Sequence, residues 1–194
     1  MRWGDWVPRG PANWAGFAAW RAGALPAAAA AFSDRLRVHP ECGEAWRGLG
    51  SVRWTEGDFA GARACFSRAL ATQPWNPMHW TNLGLALRDL GEKAAALAVF
   101  AVATGLDAEY EPAWNEWANV LVECNRASEA LPLYDRAIGI EPGRAVLHHN
   151  RAVCLCALGE FASARVGFRR ALELAPGYRH SIDELARLQG HSGA

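Results

Sequence analysis

Neither positive nor negative side chains are in excess in this chain of 194 residues: 20 Lys and Arg stand against 20 Asp and Glu, so the formal net charge is zero. Nucleic-acid binding is driven by basic side chains neutralising phosphates, and a balanced chain without a polybasic run is not expected to bind nucleic acid. Long apolar runs are missing too. A membrane-crossing helix needs about 20 consecutive apolar residues. The nearest approach, the Ala-rich stretch around Ala24–Ala31, is broken by Pro26. It is read as structure rather than as a leader peptide, and no membrane association is expected. Cysteine is sparse: five residues, at 42, 65, 124, 154 and 156, form no disulfide framework. Cys154 and Cys156 are two apart on an expected helix, point to different faces and should not pair. A reducing compartment, most simply the cytoplasm, follows as the expected location. Catalytic arrangements are missing as well. There is no Gly-rich phosphate loop, nucleophile elbow or Ser/His/Asp arrangement. His148, His149, Cys154, Cys156 and His180 do not stand at structural-zinc spacing. No enzyme activity, cofactor or metal is expected.

What the sequence does have is a period. Phe32, Phe66, Phe100, Tyr134 and Phe168 are 34 residues apart, as are Ala28, Ala62, Ala96, Ala130 and Ala164. Gly23, Gly57, Gly91, Asn125 and Gly159 keep the same step, and Trp46, Trp80 and Trp114 do so with His148 next in line. A fixed period of this length signals stacked helical hairpins. Each unit then has a first helix, a turn at the Gly or Asn, where a left-handed residue is needed, and a second helix. On that second helix the Ala and the aromatic, four residues apart, share a face: the Ala admits the partner helix and the ring fills the gap. Pro40, Pro74, Pro142 and Pro176 end the second helices. Asn76 reads as an N-cap ahead of Pro77, and Ser128 as a cap ahead of Pro132.

The expected organisation is an extension at 1–8, five units at 9–42, 43–76, 77–110, 111–144 and 145–178, and a closing helix with its tail at 179–194. Ser181 and Glu184 have capping-box spacing, and Ile182, Leu185 and Leu188 give one apolar stripe. The extension holds Trp3 and Trp6 in a Gly/Pro-punctuated stretch. Two readings of it stand side by side: the indoles cap the apolar end of the first unit, or they reach into a groove.

The pattern Trp46, Leu49–Gly50, Ala62, Phe66, Ala69–Leu70, Pro74, repeated as Trp80, Leu83–Gly84, Ala96, Phe100, Ala103, resembles the tetratricopeptide repeat. The fourth unit has Trp117–Ala118 in place of Leu-Gly, and the first has Ala12 at the Trp position. The resemblance implies an all-α, right-handed superhelical solenoid of five hairpins plus a C-terminal capping helix. Its concave wall would be lined by the first helices, with the Trp and Leu-Gly positions packed inward.

In that register the groove-facing residues are Asn13, Trp14, Phe17 and Trp20, then Arg47, Ser51 and Trp54, then Thr81, Asn82, Leu85 and Arg88. Asn115, Glu116, Asn119 and Val122 follow, and then His149, Asn150, Val153 and Cys156. Asn13, Phe17, Trp20, Arg47, Trp54, Asn82, Arg88, Asn115, Asn119, His149 and Asn150 are the candidate ligand contacts. The N-terminal half of the list is aromatic and the rest is rich in amides, which both donate to and accept from a peptide backbone. Asn119 and Asn150 fall on the two Asn positions of the family's carboxylate clamp. Asn115, His180 and Glu184 occupy its basic positions, so a complete clamp is not expected. The function implied is non-catalytic binding of a peptide segment or protein partner. The alternative is a scaffold that self-associates through its ends or its Trp-rich N-terminus.

Overall fold

The computed structural model describes residues 15–190, which form eleven α-helices and no strand. Trp3, Trp6, Asn13 and Trp14 lie outside the described residues. The chain divides into two compact units, residues 1–92 and 93–194, with the division between the fifth and sixth helices. No described helix is long and apolar enough to cross a membrane.

The first unit holds α1 (Ala15–Arg21), α2 (Leu25–Val38), α3 (Gly43–Thr55), α4 (Phe59–Thr72) and α5 (Pro77–Asp89). Consecutive helices pack as neighbours, and α1, α3 and α5 also touch in sequence, so the first helices of successive hairpins form one wall. The core is built where rings meet glycines. A Cβ on Gly48 would lie 2.4 Å from the Phe32 ring, and one on Gly50 would lie 2.6 Å from Phe66. Those two glycines let the second-helix aromatics, both fully buried, press against the α3 backbone.

The second unit holds α6 (Lys93–Leu106), α7 (Glu111–Glu123), α8 (Ala127–Ile140), α9 (Ala145–Ala157), α10 (Phe161–Leu174) and α11 (Arg179–Gly190). Tyr134 packs with Ala118, Leu121, Ala127, Ala130 and Cys154. Phe168 packs with Ala152, Leu155, Ala164 and Leu188, the last supplied by the closing helix.

One turn recurs at all five hairpins. Gly23, Gly57, Gly91, Asn125 and Gly159 all have φ between 60° and 83°. Each is followed by a residue whose N–H reaches back five positions: Ala24 to Ala19, Asp58 to Arg53, Glu92 to Leu87, Arg126 to Leu121 and Glu160 to Leu155. This double closure satisfies carbonyls that the helix end leaves open, and it needs a left-handed residue at its centre. The second helices α2, α4, α8 and α10 stop two residues short of their prolines. Asn76 caps α5 as expected, accepting from Met78 N–H at 3.0 Å.

Four local expectations need correction. The Trp positions are half-buried rather than fully enclosed, Trp46 lying against the core around Phe32, and each indole N–H donates to the carbonyl six residues earlier. Trp46 bonds Pro40 at 2.7 Å, Trp80 bonds Pro74 at 2.7 Å and Trp114 bonds Ala108 at 3.0 Å. His148 Nε2 makes the same contact with Pro142 at 2.9 Å. The position therefore clips the start of a first helix to the end of the preceding second helix, which needs a ring nitrogen and explains why His serves there. Ser128 is not a cap, because α8 begins at Ala127. Likewise α11 begins at Arg179, so Ser181 sits inside the helix and is fully buried. Ile182 leaves the expected stripe and is exposed, because the helix turns Ser181, Leu185 and Leu188 toward α9 and α10 instead.

Candidate functional site

In the first unit the wall of first helices is aromatic, and several of its polar side chains are tied up locally. Phe17 stands edge-on to Phe32, with centroids 4.8 Å apart, and the Arg47 guanidinium lies 4.8 Å from the Phe17 ring centre. Arg47 is itself buried, 3% exposed, and its guanidinium bonds Glu44 through Nη2 at 2.6 Å and Nε at 3.2 Å. His79 Nε2 is 3.8 Å from the other Glu44 oxygen, too far for a hydrogen bond but within ion-pair range. The neighbouring His79 imidazole and the Arg47 cation together hold the Glu44 carboxyl down to about 2 against the effect of its burial. Trp20 and Trp54, half-buried on the same wall, each spend the indole N–H on the next repeat: Trp20 on Thr55 Oγ1 at 3.4 Å, Trp54 on Asp89 Oδ2 at 2.7 Å. Arg88, also half-buried, pairs with Asp89 at 2.8 Å. Asn82 is buried, 3% exposed, and its Nδ2 has no hydrogen-bond partner among the described residues.

In the second unit the corresponding wall, α7, α9 and α11, is polar. A continuous chain of hydrogen bonds runs across it. Tyr134 OH donates to Asn119 Oδ1 at 2.7 Å, and Asn119 Nδ2 donates to Glu116 at 3.2 Å. Asn115 Nδ2 donates to the other Glu116 oxygen at 3.1 Å and receives Asn150 Nδ2 on its own carbonyl at 2.9 Å. Asn115 is buried, whereas Asn119 and Asn150 are half-buried. Beside them Glu111, 1% exposed, is paired with Arg144. Its second oxygen is buried without a hydrogen-bond partner among the described residues, and burial lifts the carboxyl to about 7 despite Arg144. His149 packs against Phe168, Tyr178 and His180, with its Nδ1 2.9 Å from Ser181 Oγ. Burial, with His180 adding to it, lowers His149 to about 4, so the ring is neutral at ordinary pH.

Every candidate contact from Phe17 to Asn150 thus lies on a first helix. Phe17, Trp20, Arg47, Trp54, Asn82 and Arg88 belong to the first unit, and Asn115, Asn119, His149 and Asn150 to the second. The residues that hold the candidates in place are Thr55, Asp89, Glu44, Tyr134 and Ser181, none of which sequence reasoning assigned to that role. Only Tyr134 carried a signal, being Tyr where the other units have Phe. Among the described residues no group of three or more His, Cys, Asp or Glu could hold a metal ion.

A family model described as tetratricopeptide repeat matches residues 15–77 and 50–111, and a second with the same description matches 121–188. No curated protein sequence matches the chain. Among solved structures, TTC0263, a thermophilic TPR protein of Thermus thermophilus, superposes with a TM-score of 0.77 at 20% identity, covering 90% of this chain and 95% of that one. MamA gives 0.69 at 22% identity, over 82% of this chain and 93% of that one. YrrB, described as a TPR protein with an unusual peptide-binding site, gives 0.66 at 20% identity, covering 87% of each chain. At these identities the likeness establishes the fold: an all-α solenoid class of helical hairpins with a closing helix.

Proposed function

Because this chain belongs to the tetratricopeptide repeat family, we propose that it is a non-catalytic interaction scaffold that holds a peptide segment, or an exposed segment of a protein partner, against its first helices. The array is read as five repeats over 9–178 between an extension at 1–8 and a closing segment at 179–194. The observation that carries the reading is the hydrogen-bonded chain from Tyr134 through Asn119, Glu116 and Asn115 to Asn150. Each amide in it uses some of its capacity internally, which fixes its orientation before a ligand arrives. An amide nitrogen has a second N–H, and a carbonyl oxygen a second lone pair, to offer a backbone. Preorganisation of this kind lowers the ordering cost of binding. Each such contact contributes about 1 kcal/mol, while a micromolar complex needs about 8 kcal/mol. The amides therefore need an apolar contribution from the ligand's side chains as well. Free thiols buried at Cys65 and Cys154 accord with a reducing, cytoplasmic setting.

The test is selection of a displayed random dodecapeptide library on the full chain, followed by affinity measurement on Asn119→Ala/Asn150→Ala. Selected peptides should lose about tenfold or more, equivalent to roughly 1.4 kcal/mol. Undiminished binding to a variant whose melting curve is unchanged removes the amide wall from the site. Failure to enrich any peptide removes the binding reading itself.

A further inference from the structure

We propose that Trp75 is a docking knob for a second copy of this chain, entering the pocket between α6 and α8 of the neighbouring copy. This contact is independent of peptide binding, because neither Trp75 nor any residue of the pocket is among the candidate ligand contacts.

Trp75 lies in the turn between α4 and α5 and is 70% exposed. It makes no hydrogen bond or ring contact among the described residues. The other units place Glu41, Glu109, Gly143 and Gly177 at this position, so the turn itself does not require an indole. A bare indole is the kind of side chain that interfaces use as an anchor.

The pocket is a second departure from the repeat. Trp117 stands where two earlier units have Leu49 and Leu83 and the last has Arg151. It stacks on Trp114, with centroids 5.9 Å apart and the planes 19° from parallel. With Leu97, Leu121 and Leu133 it lines an open pocket of about 340 Å³, which the exposed Ala98 also borders. That volume is at the small end for a ligand site, about 300–1,000 Å³, and suits one large ring.

Charge selects the occupant. The charged residues of the lining, Arg126 and Glu129, are spent on each other through two bonds of 2.7 Å. The sequence of α6 has no charged residue between Lys93 and Asp107. An apolar, uncharged knob therefore fits better than a charged one. The stretch that carries Trp75 has no charged residue from Ala69 to Met78, so it approaches without stranding a charge. The Glu129 carboxylate keeps lone pairs at the rim for the indole N–H. One docked indole buries about 150–250 Å², well short of the roughly 1,200 Å² of a stable interface, so the association is weak and reversible.

The test begins with sedimentation equilibrium of the full chain up to about 1 mM, the range of so small a contact. Mass above the monomer is expected, and it should be lost in Trp75→Ser and in Ala98→Arg, both at exposed positions, with melting curves unchanged. A monomer at every concentration, or association that either variant retains, overturns the proposal. A mixture then separates knob from pocket. A chain with Trp75→p-benzoylphenylalanine and Ala98→Arg keeps only the knob, and an isotope-labelled Trp75→Ser chain keeps only the pocket. Irradiation should join residue 75 to Leu97, Trp117 or Leu133 of the labelled chain and yield no product longer than two chains. Crosslinks elsewhere, crosslinks within one chain, or none at all overturn the contact. Library peptides should bind both single variants as they bind the parent, so a failed crosslink leaves the peptide-binding reading standing and an empty library leaves this contact standing.

Discussion

Trp54 Nε1 sits 2.7 Å from Asp89 Oδ2, 35 residues further on. One repeat earlier, Trp20 points at Thr55 across the same interval of 35, at 3.4 Å. Two successive first helices are thus joined by the same indole in the same register, with a stronger, charged acceptor at the second step. Stacking here is not purely apolar: at the C-terminal ends of α1 and α3 a directed bond sets how far one helix slides past the next.

Trp54→Phe keeps most of the ring and loses the donor. A hydrogen bond to a carboxylate is worth about 1.5–3 kcal/mol, so a destabilisation of about 2 kcal/mol is expected by urea denaturation. A double-mutant cycle with Asp89→Ala should return a coupling above about 1 kcal/mol. Additive effects would show the contact to be energetically idle.

Tyr134→Phe tests the polar chain in the second unit. The fully buried ring stays, while Asn119 Oδ1 loses its donor, at a cost of about 1 kcal/mol. The informative measurement is peptide affinity on the still-folded variant, which should fall because Asn119 is no longer oriented. A stability loss with unchanged affinity would separate the chain from binding.

Glu111 makes stability depend on pH in an unusual direction. Burial raises its carboxyl from 4.5 to about 7, so the folded chain holds that proton more tightly than the unfolded one. Its contribution is complete below the unfolded value and drains away as pH rises towards 7, by up to about 3 kcal/mol. Denaturation at pH 5 and pH 8 should show the parent chain less stable at the higher pH, and Glu111→Gln should flatten that slope. A slope that persists in the variant assigns it elsewhere.

His149 works on the acid side. Burial depresses it from 6.5 to about 4, so the neutral ring's contribution is intact above 6.5 and is lost as pH falls towards 4. Glu44, lowered from 4.5 to about 2, loses its contribution only at still lower pH, so the two windows are separable. His149→Gln, which can still bond Ser181, should remove the loss between pH 6.5 and 4 in thermal melts. An unchanged acid profile would contradict the burial argument.

The sequence by itself determined the hairpins. Its 34-residue step placed Gly or Asn at the hairpin turn, which must be left-handed, and an Ala–aromatic pair where two helices must approach, because both are requirements of local backbone and volume. Gly23 and Asn125 show this most plainly, one by lacking a Cβ and the other by tolerating the conformation with one. Only tertiary structure decided what the polar and half-apolar side chains do. Trp46 was legible as a repeat marker, yet its bond to the Pro40 carbonyl depends on how two helices meet. Arg47, Asn82 and Asn115 were legible as wall positions, but not as buried ones. Whether an amide faces solvent or another amide 35 residues away is set by the spacing between helices, and a linear pattern of residue types does not contain that distance.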